Sequence, residues 1–112
     1  MTKILTGGPL PNIPWEDKPA SVVNAPVWRF SGNPVIDRNP VKGVARIFNS
    51  AVAPFGDGFV AVLRGEQVNG IPHIYMGYSR EAIHWKIDEN KIPFVDEEGK
   101  PFMPGYAYDP RL

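Results

Sequence analysis

An all-β fold, a meander of short antiparallel strands of the kind that makes one blade of a β-propeller, is predicted from three observations. The stretch Ile47 to Arg64, IFNSAVAPFGDGFVAVLR, carries apolar residues up to Gly56-Asp57-Gly58 and again after it, which is the pattern of a hairpin. Further strand-forming runs follow at close spacing, His73 to Ser79 and then His84 to Ile87, with Gly65 to Gly70 as the intervening turn. No long helix survives the proline content, since seven of the thirteen prolines fall in the first forty residues, at 9, 11, 14, 19, 26, 34 and 40.

Each segment has its own logic. Residues 1–43 read as an extended, proline-rich arm whose Trp15, Val27, Trp28, Phe30, Val35 and Ile36 anchor it to a larger surface. Residues 44–95 form the meander: Phe48 to Pro54, Phe59 to Arg64, His73 to Ser79 and a fourth strand around His84 to Ile87. Between the last two, Ser79 to Trp85 offers either a polar turn or one turn of helix, too short to be stable by itself. Residues 96–112 pass an acidic turn at Asp96-Glu97-Glu98-Gly99, become aromatic at Phe102, Tyr106 and Tyr108, and reach the start of a further strand. Four strands alone leave two bare edges and a thin core, so the meander is expected to be one unit of a longer, radially repeated polypeptide.

Composition narrows the function. The 112 residues carry twelve basic and twelve acidic side chains and no cysteine. A neutral chain without a basic run disfavours nucleic acid or an anionic membrane as partner. Absence of cysteine excludes disulfides and thiolate zinc sites, and the cytoplasm is the expected compartment. No window approaches the roughly 20 apolar residues of a membrane span. With two isolated histidines, His73 and His84, no metal is expected either.

Polar groups stand out on the hairpin: Asn49 and Ser50 at the start of its first strand, and Arg64 closing its second. Together with flanking residues they carry a resemblance. IPWEDKP from Ile13, then VWRFSGNPVI, KGVARIFNSAVAPFGDGF, LRGEQ and GYAYDPRL occur in this order, and the chain resembles the amino-terminal part of the mannoside phosphorylases of glycoside hydrolase family 130. That resemblance implies a five-bladed β-propeller, of which this chain supplies the arm, the first blade and the start of the second. It implies that Asp109 of the YDPR motif is the catalytic acid, that Asn49, Ser50 and Tyr108 contact the sugar being transferred, and that Arg64 reaches the leaving-group sugar. The ARIFNSAV and GEQVNG segments incline the substrate toward mannooligosaccharides rather than mannosyl-N-acetylglucosamine.

An inverting glycosidase needs two carboxyl groups, whereas a phosphorylase needs only the acid, because inorganic phosphate is already an anionic nucleophile. The expected reaction is phosphorolysis of a β-1,4-mannoside with inversion to α-mannose 1-phosphate, the proton of Asp109 being relayed through the 3-hydroxyl of the mannosyl unit. Asp109 then has to start protonated, which burial among Tyr106 and Tyr108 favours and Arg111, two residues along a strand, opposes. Phosphate is the co-substrate and no cofactor is required; the residues that bind phosphate are expected outside this chain. Alternatives are a β-mannoside hydrolase of the same fold, or a noncatalytic fragment. The complete protein is expected to self-associate.

Overall fold

The apolar run after the glycine turn becomes a strand with no exposed residue. In the computed structural model, which describes Ile13 and residues 16–112, six strands form: β1 (Val44–Phe55), β2 (Gly58–Gln67), β3 (Pro72–Ser79), β4 (Lys86–Lys91), β5 (Phe94–Val95) and β6 (Pro101–Phe102). β1 to β4 pair antiparallel in chain order, and β5 with β6 makes a separate two-stranded ribbon. Four meander strands are present as predicted, the fourth displaced from His84–Ile87 to Lys86–Lys91, and no helix occurs among the described residues.

Register decides which side chains share a face. Leu63 lies opposite Ser50 and Tyr75, Ala61 opposite Val52 and Gly77, and Gly65 opposite Ile47 and His73. Alternation therefore gives one face to Phe59, Ala61 and Leu63 and the other to Val60, Val62 and Arg64. Val44, Ala61, Leu63 and Tyr75 form the buried core of the first face, with Ile36, Val41, Ile47, Trp85 and Ile87 packed against it. Two glycines make that packing possible. A Cβ on Gly65 would stand 2.6 Å from a Tyr75 ring carbon, and one on Gly77 would stand 3.0 Å from Leu63 and 3.4 Å from Trp85.

The opposite face is covered from the carboxyl side. Val62 and Ile74 border a groove shared with Ile92, Phe94, Tyr106 and Tyr108, and the Ala107 amide donates to the Pro72 carbonyl at 3.1 Å. β2 accordingly has no exposed residue, with Phe59, Ala61 and Leu63 buried and Val60, Val62 and Arg64 half-buried.

Several expectations shift. β1 begins at Val44 and β2 continues to Gln67, so Asn49-Ser50 and Arg64 are mid-strand residues, not strand ends. The ladder with the neighbouring strand extends through Arg46 opposite Glu66, a pair joined at 3.7 Å. Ser79 to Trp85 is a turn: the Ser79 hydroxyl oxygen accepts from the Ala82 amide at 2.9 Å, and the Trp85 indole donates to the Ala82 carbonyl at 3.1 Å. Around the acidic turn, one Asp96 carboxylate oxygen accepts from the Lys100 amide at 2.8 Å and the Glu98 amide at 3.1 Å, and this closes the unforeseen β5–β6 ribbon. Residues 103–112 form no strand.

In the described part of the arm, residues 16–43 have neither helix nor strand. The Glu16 carboxylate accepts from both the amide and the hydroxyl of Ser31, and Trp28 and Phe30 line a groove with Val35 and Ile83. Trp15 lies outside the described residues.

Two predictions concern stability. Leu63→Ala, at a position 2% exposed, should cost about 2–5 kcal/mol in a denaturant titration, and Gly65→Ala about 1–3 kcal/mol through displacement of Tyr75. His73 is 5% exposed and its Nδ1 has no hydrogen-bond partner among the described residues. Burial, and secondarily the charge of Lys91, hold its imidazole below the ordinary 6.5. The unfolded chain then takes up a proton more readily than the folded one. Stability should therefore be complete above the ordinary value and fall as pH drops below it, and thermal unfolding from about pH 7.5 to 5.5 should show a decline that His73→Gln removes.

Candidate functional site

Asn49-Ser50 falls in the middle of β1, where the ladder with β2 carries a β-bulge. Ile47 pairs with Gly65 and Ser50 with Leu63, so Phe48 and Asn49 together face one residue, Arg64. A bulge breaks the alternation and re-aims side chains. Ser50 supports it locally, its hydroxyl donating to the Phe48 carbonyl at 2.8 Å, a bond of the kind that competes with ladder pairing.

Arg64 is the centre of the resulting cluster. Its guanidinium carbon lies 5.3 Å from the centroid of the Phe48 ring and 5.6 Å from that of Tyr108, both within cation–π range. Nη1 stands 3.5 Å from Oδ1 of Asp109. The same carboxyl oxygen accepts from Asn49 Nδ2 at 2.8 Å. Arg64 Nε is buried without a partner among the described residues. Behind the cluster Arg46 lies 5.8 Å from the Phe48 ring centroid and pairs with Glu66.

Asp109 adopts φ +50°. Sequence alone predicts extended backbone there, because Pro110 disfavours the helical region for the residue before it. The left-handed conformation is one that aspartate tolerates better than most residues, and here the carboxyl is held from two sides by Asn49 and Arg64. Strain of about 1–3 kcal/mol at such a residue persists where the surroundings over-determine it, as they do at functional sites.

Of the five residues singled out in the sequence, Asn49, Arg64, Tyr108 and Asp109 come together, while the Ser50 hydroxyl is occupied by the backbone. Three details differ from expectation. The Asp109 side chain is 41% exposed, not buried among tyrosines; Tyr106 and Tyr108 pack edge-to-face on each other, centroids 5.2 Å apart. The cation beside Asp109 is Arg64, whereas Arg111 turns back to the carbonyls of Asp109 and Pro110 at 3.4 and 3.1 Å. Tyr108-Asp109 lies in no strand. Phe48 was not foreseen as part of the cluster; its signal was an aromatic between two arginines of a predicted hairpin, at 46 and 64.

The arrangement suits chemistry on a hydroxylated ligand. One oxygen of Asp109 is committed to two donors, and Oδ2 has no such partner among the described residues, leaving it open to a ligand. Amide, guanidinium and phenol groups around it are donors and acceptors matched to sugar hydroxyls. Among the described residues no three metal-ligating side chains converge.

No protein-family model matches the chain. Over 117 aligned residues it is 38% identical to the beta-1,4-mannooligosaccharide phosphorylase of Ruminococcus albus, a match that takes in 99% of this chain. The chain spans 35% of the length of that relative.

Proposed function

We propose that this chain is the amino-terminal portion of a β-mannoside phosphorylase of glycoside hydrolase family 130, contributing its arm, its first blade and the start of its second, and with them the acid and part of the sugar site. The observation that carries the proposal is the 2.8 Å bond between Asn49 and Asp109, sixty residues apart, in a chain alignable along its length with a mannooligosaccharide phosphorylase.

In the reaction, phosphate attacks the anomeric carbon of the mannosyl unit from the face opposite the departing sugar. The C1–O bond to that sugar breaks as a C1–O bond to phosphate forms, giving α-mannose 1-phosphate with inversion. The departing oxygen takes the proton of the mannosyl 3-hydroxyl as the C1–O bond breaks, and Asp109 gives its own proton to that 3-oxygen and is left as the carboxylate. Asn49 and Arg64 orient the carboxyl through Oδ1, so that Oδ2 is the oxygen available to carry the proton. Asn49, Ser50 and Tyr108 take the transferred sugar and Arg64 the leaving one. Ser50 would have to release its backbone bond to do so. Phosphate is held by residues beyond this chain, in the remainder of the propeller, and no cofactor takes part. Self-association of the complete protein and a cytoplasmic location belong to the same proposal.

In the polypeptide carrying the remaining blades, Asp109→Asn should lower phosphorolysis of β-1,4-mannobiose about 10²–10⁴-fold while mannobiose binding by calorimetry is retained. Full activity of that variant would remove Asp109 from the mechanism. Release of mannose 1-phosphate only when phosphate is supplied distinguishes the phosphorylase from a hydrolase, which would yield free mannose in its absence. The isolated 112-residue chain should show no turnover, since the phosphate site is incomplete; turnover by it would overturn the division of the site between this chain and the rest.

A further inference from the structure

Phe48 precedes Asn49 in the bulge, and neither its motif nor its burial explains it. At 41% exposure it is no core residue, and its ring has no hydrogen-bonding group to offer a ligand. What it touches is charge: Arg64 at 5.3 Å and Arg46 at 5.8 Å from its centroid.

We infer that Phe48 is a positioning residue for Asp109, acting through Arg64. The inference rests on the reading of Asp109 as the acid of a mannoside phosphorylase. The guanidinium of Arg64 has an unpartnered Nε, so hydrogen bonds on that edge do not fix its plane. Two ring faces do so instead, Phe48 from the bulge and Tyr108 from the segment that carries the acid. Nη1 thereby stays 3.5 Å from Oδ1 of Asp109, next to the shorter bond from Asn49. The bulge is what allows this, because an unbulged ladder would put Phe48 and Asn49 on opposite faces and only one of them could meet Arg64. Arg46, held by Glu66, supplies a second cation near the ring and limits its swing. Loss of the ring leaves Arg64 to rotate away, and Oδ1 keeps Asn49 alone. The mannosyl unit still binds, but the acid is no longer aimed.

The test compares Phe48→Leu, which removes the π face, with Phe48→Tyr, which keeps it, in the polypeptide that carries the remaining blades. Crystal structures of F48L should show the Arg64 guanidinium displaced and its approach to Asp109 lost, with F48Y unchanged. The kcat of F48L for mannobiose should fall about tenfold, the size expected of a misaligned catalytic group, with KM within about twofold and F48Y restored to wild type. Val52→Ala, on the same strand and remote from the cluster, should keep wild-type kcat. If F48L does not fold, Phe48→Met is read in the same way. Arg64 and Asp109 unmoved in the ringless variant would overturn the inference, whatever the activity, as would a kcat equal to wild type. A wild-type protein that releases mannose without phosphate would instead overturn the phosphorylase reading, and the crystallographic comparison would still decide the role of Phe48.

Discussion

The extra residue in β1 opposite Arg64 is the constraint on which the rest of the cluster depends. A regular antiparallel ladder sends successive side chains to opposite faces, so Phe48 and Asn49 would be separated by the thickness of the sheet. With the ladder slipped by one residue between Ile47 and Ser50, both reach the arginine across from them. That irregularity brings the aromatic contact on the guanidinium and the amide bond to Asp109 to the same side of the sheet, where Tyr108 also meets Arg64.

Magnitudes show what holds the carboxyl-terminal segment in place. A half-exposed ion pair contributes about 0–1 kcal/mol and one hydrogen bond about 0.5–1.5 kcal/mol, while the left-handed backbone of Asp109 costs about 1–3 kcal/mol. These polar contacts roughly cancel the strain they accompany. The segment is also tied to the sheet through its backbone, by the Ala107 to Pro72 bond, beside a groove lined by Val62, Ile74, Ile92 and Phe94. The polar cluster therefore sets geometry more than it adds stability.

The sheet is sandwiched, and its two coverings come from opposite ends of the chain. Ile36 and Val41 of the arm close over Leu63 and Tyr75, and residues 92–108 close over Val62 and Ile74. β2 has its core face buried and its other face half-buried, and on the core face Gly65 and Gly77 leave the space that Tyr75, Leu63 and Trp85 fill.

Much of this was legible beforehand. Apolar runs punctuated by glycine turns specify hairpins through local backbone preference, so the meander from Val44 to Ile87 and the candidates Asn49, Arg64, Tyr108 and Asp109 could be named from the sequence and its resemblance. Strand limits, the bulge, the β5–β6 ribbon, the left-handed Asp109 and the part taken by Phe48 could not. Each of these depends on which residue lies across from another: pairing carries β2 on to Gln67, the slip at Phe48-Asn49 exists only relative to Arg64, and contacts made sixty residues away accompany a backbone at Asp109 that departs from the local preference Pro110 imposes. Local chemistry determined which groups are present and roughly where strands form, whereas register and the docking of distant segments, being energies of pairs rather than of single residues, were decided by the tertiary structure alone.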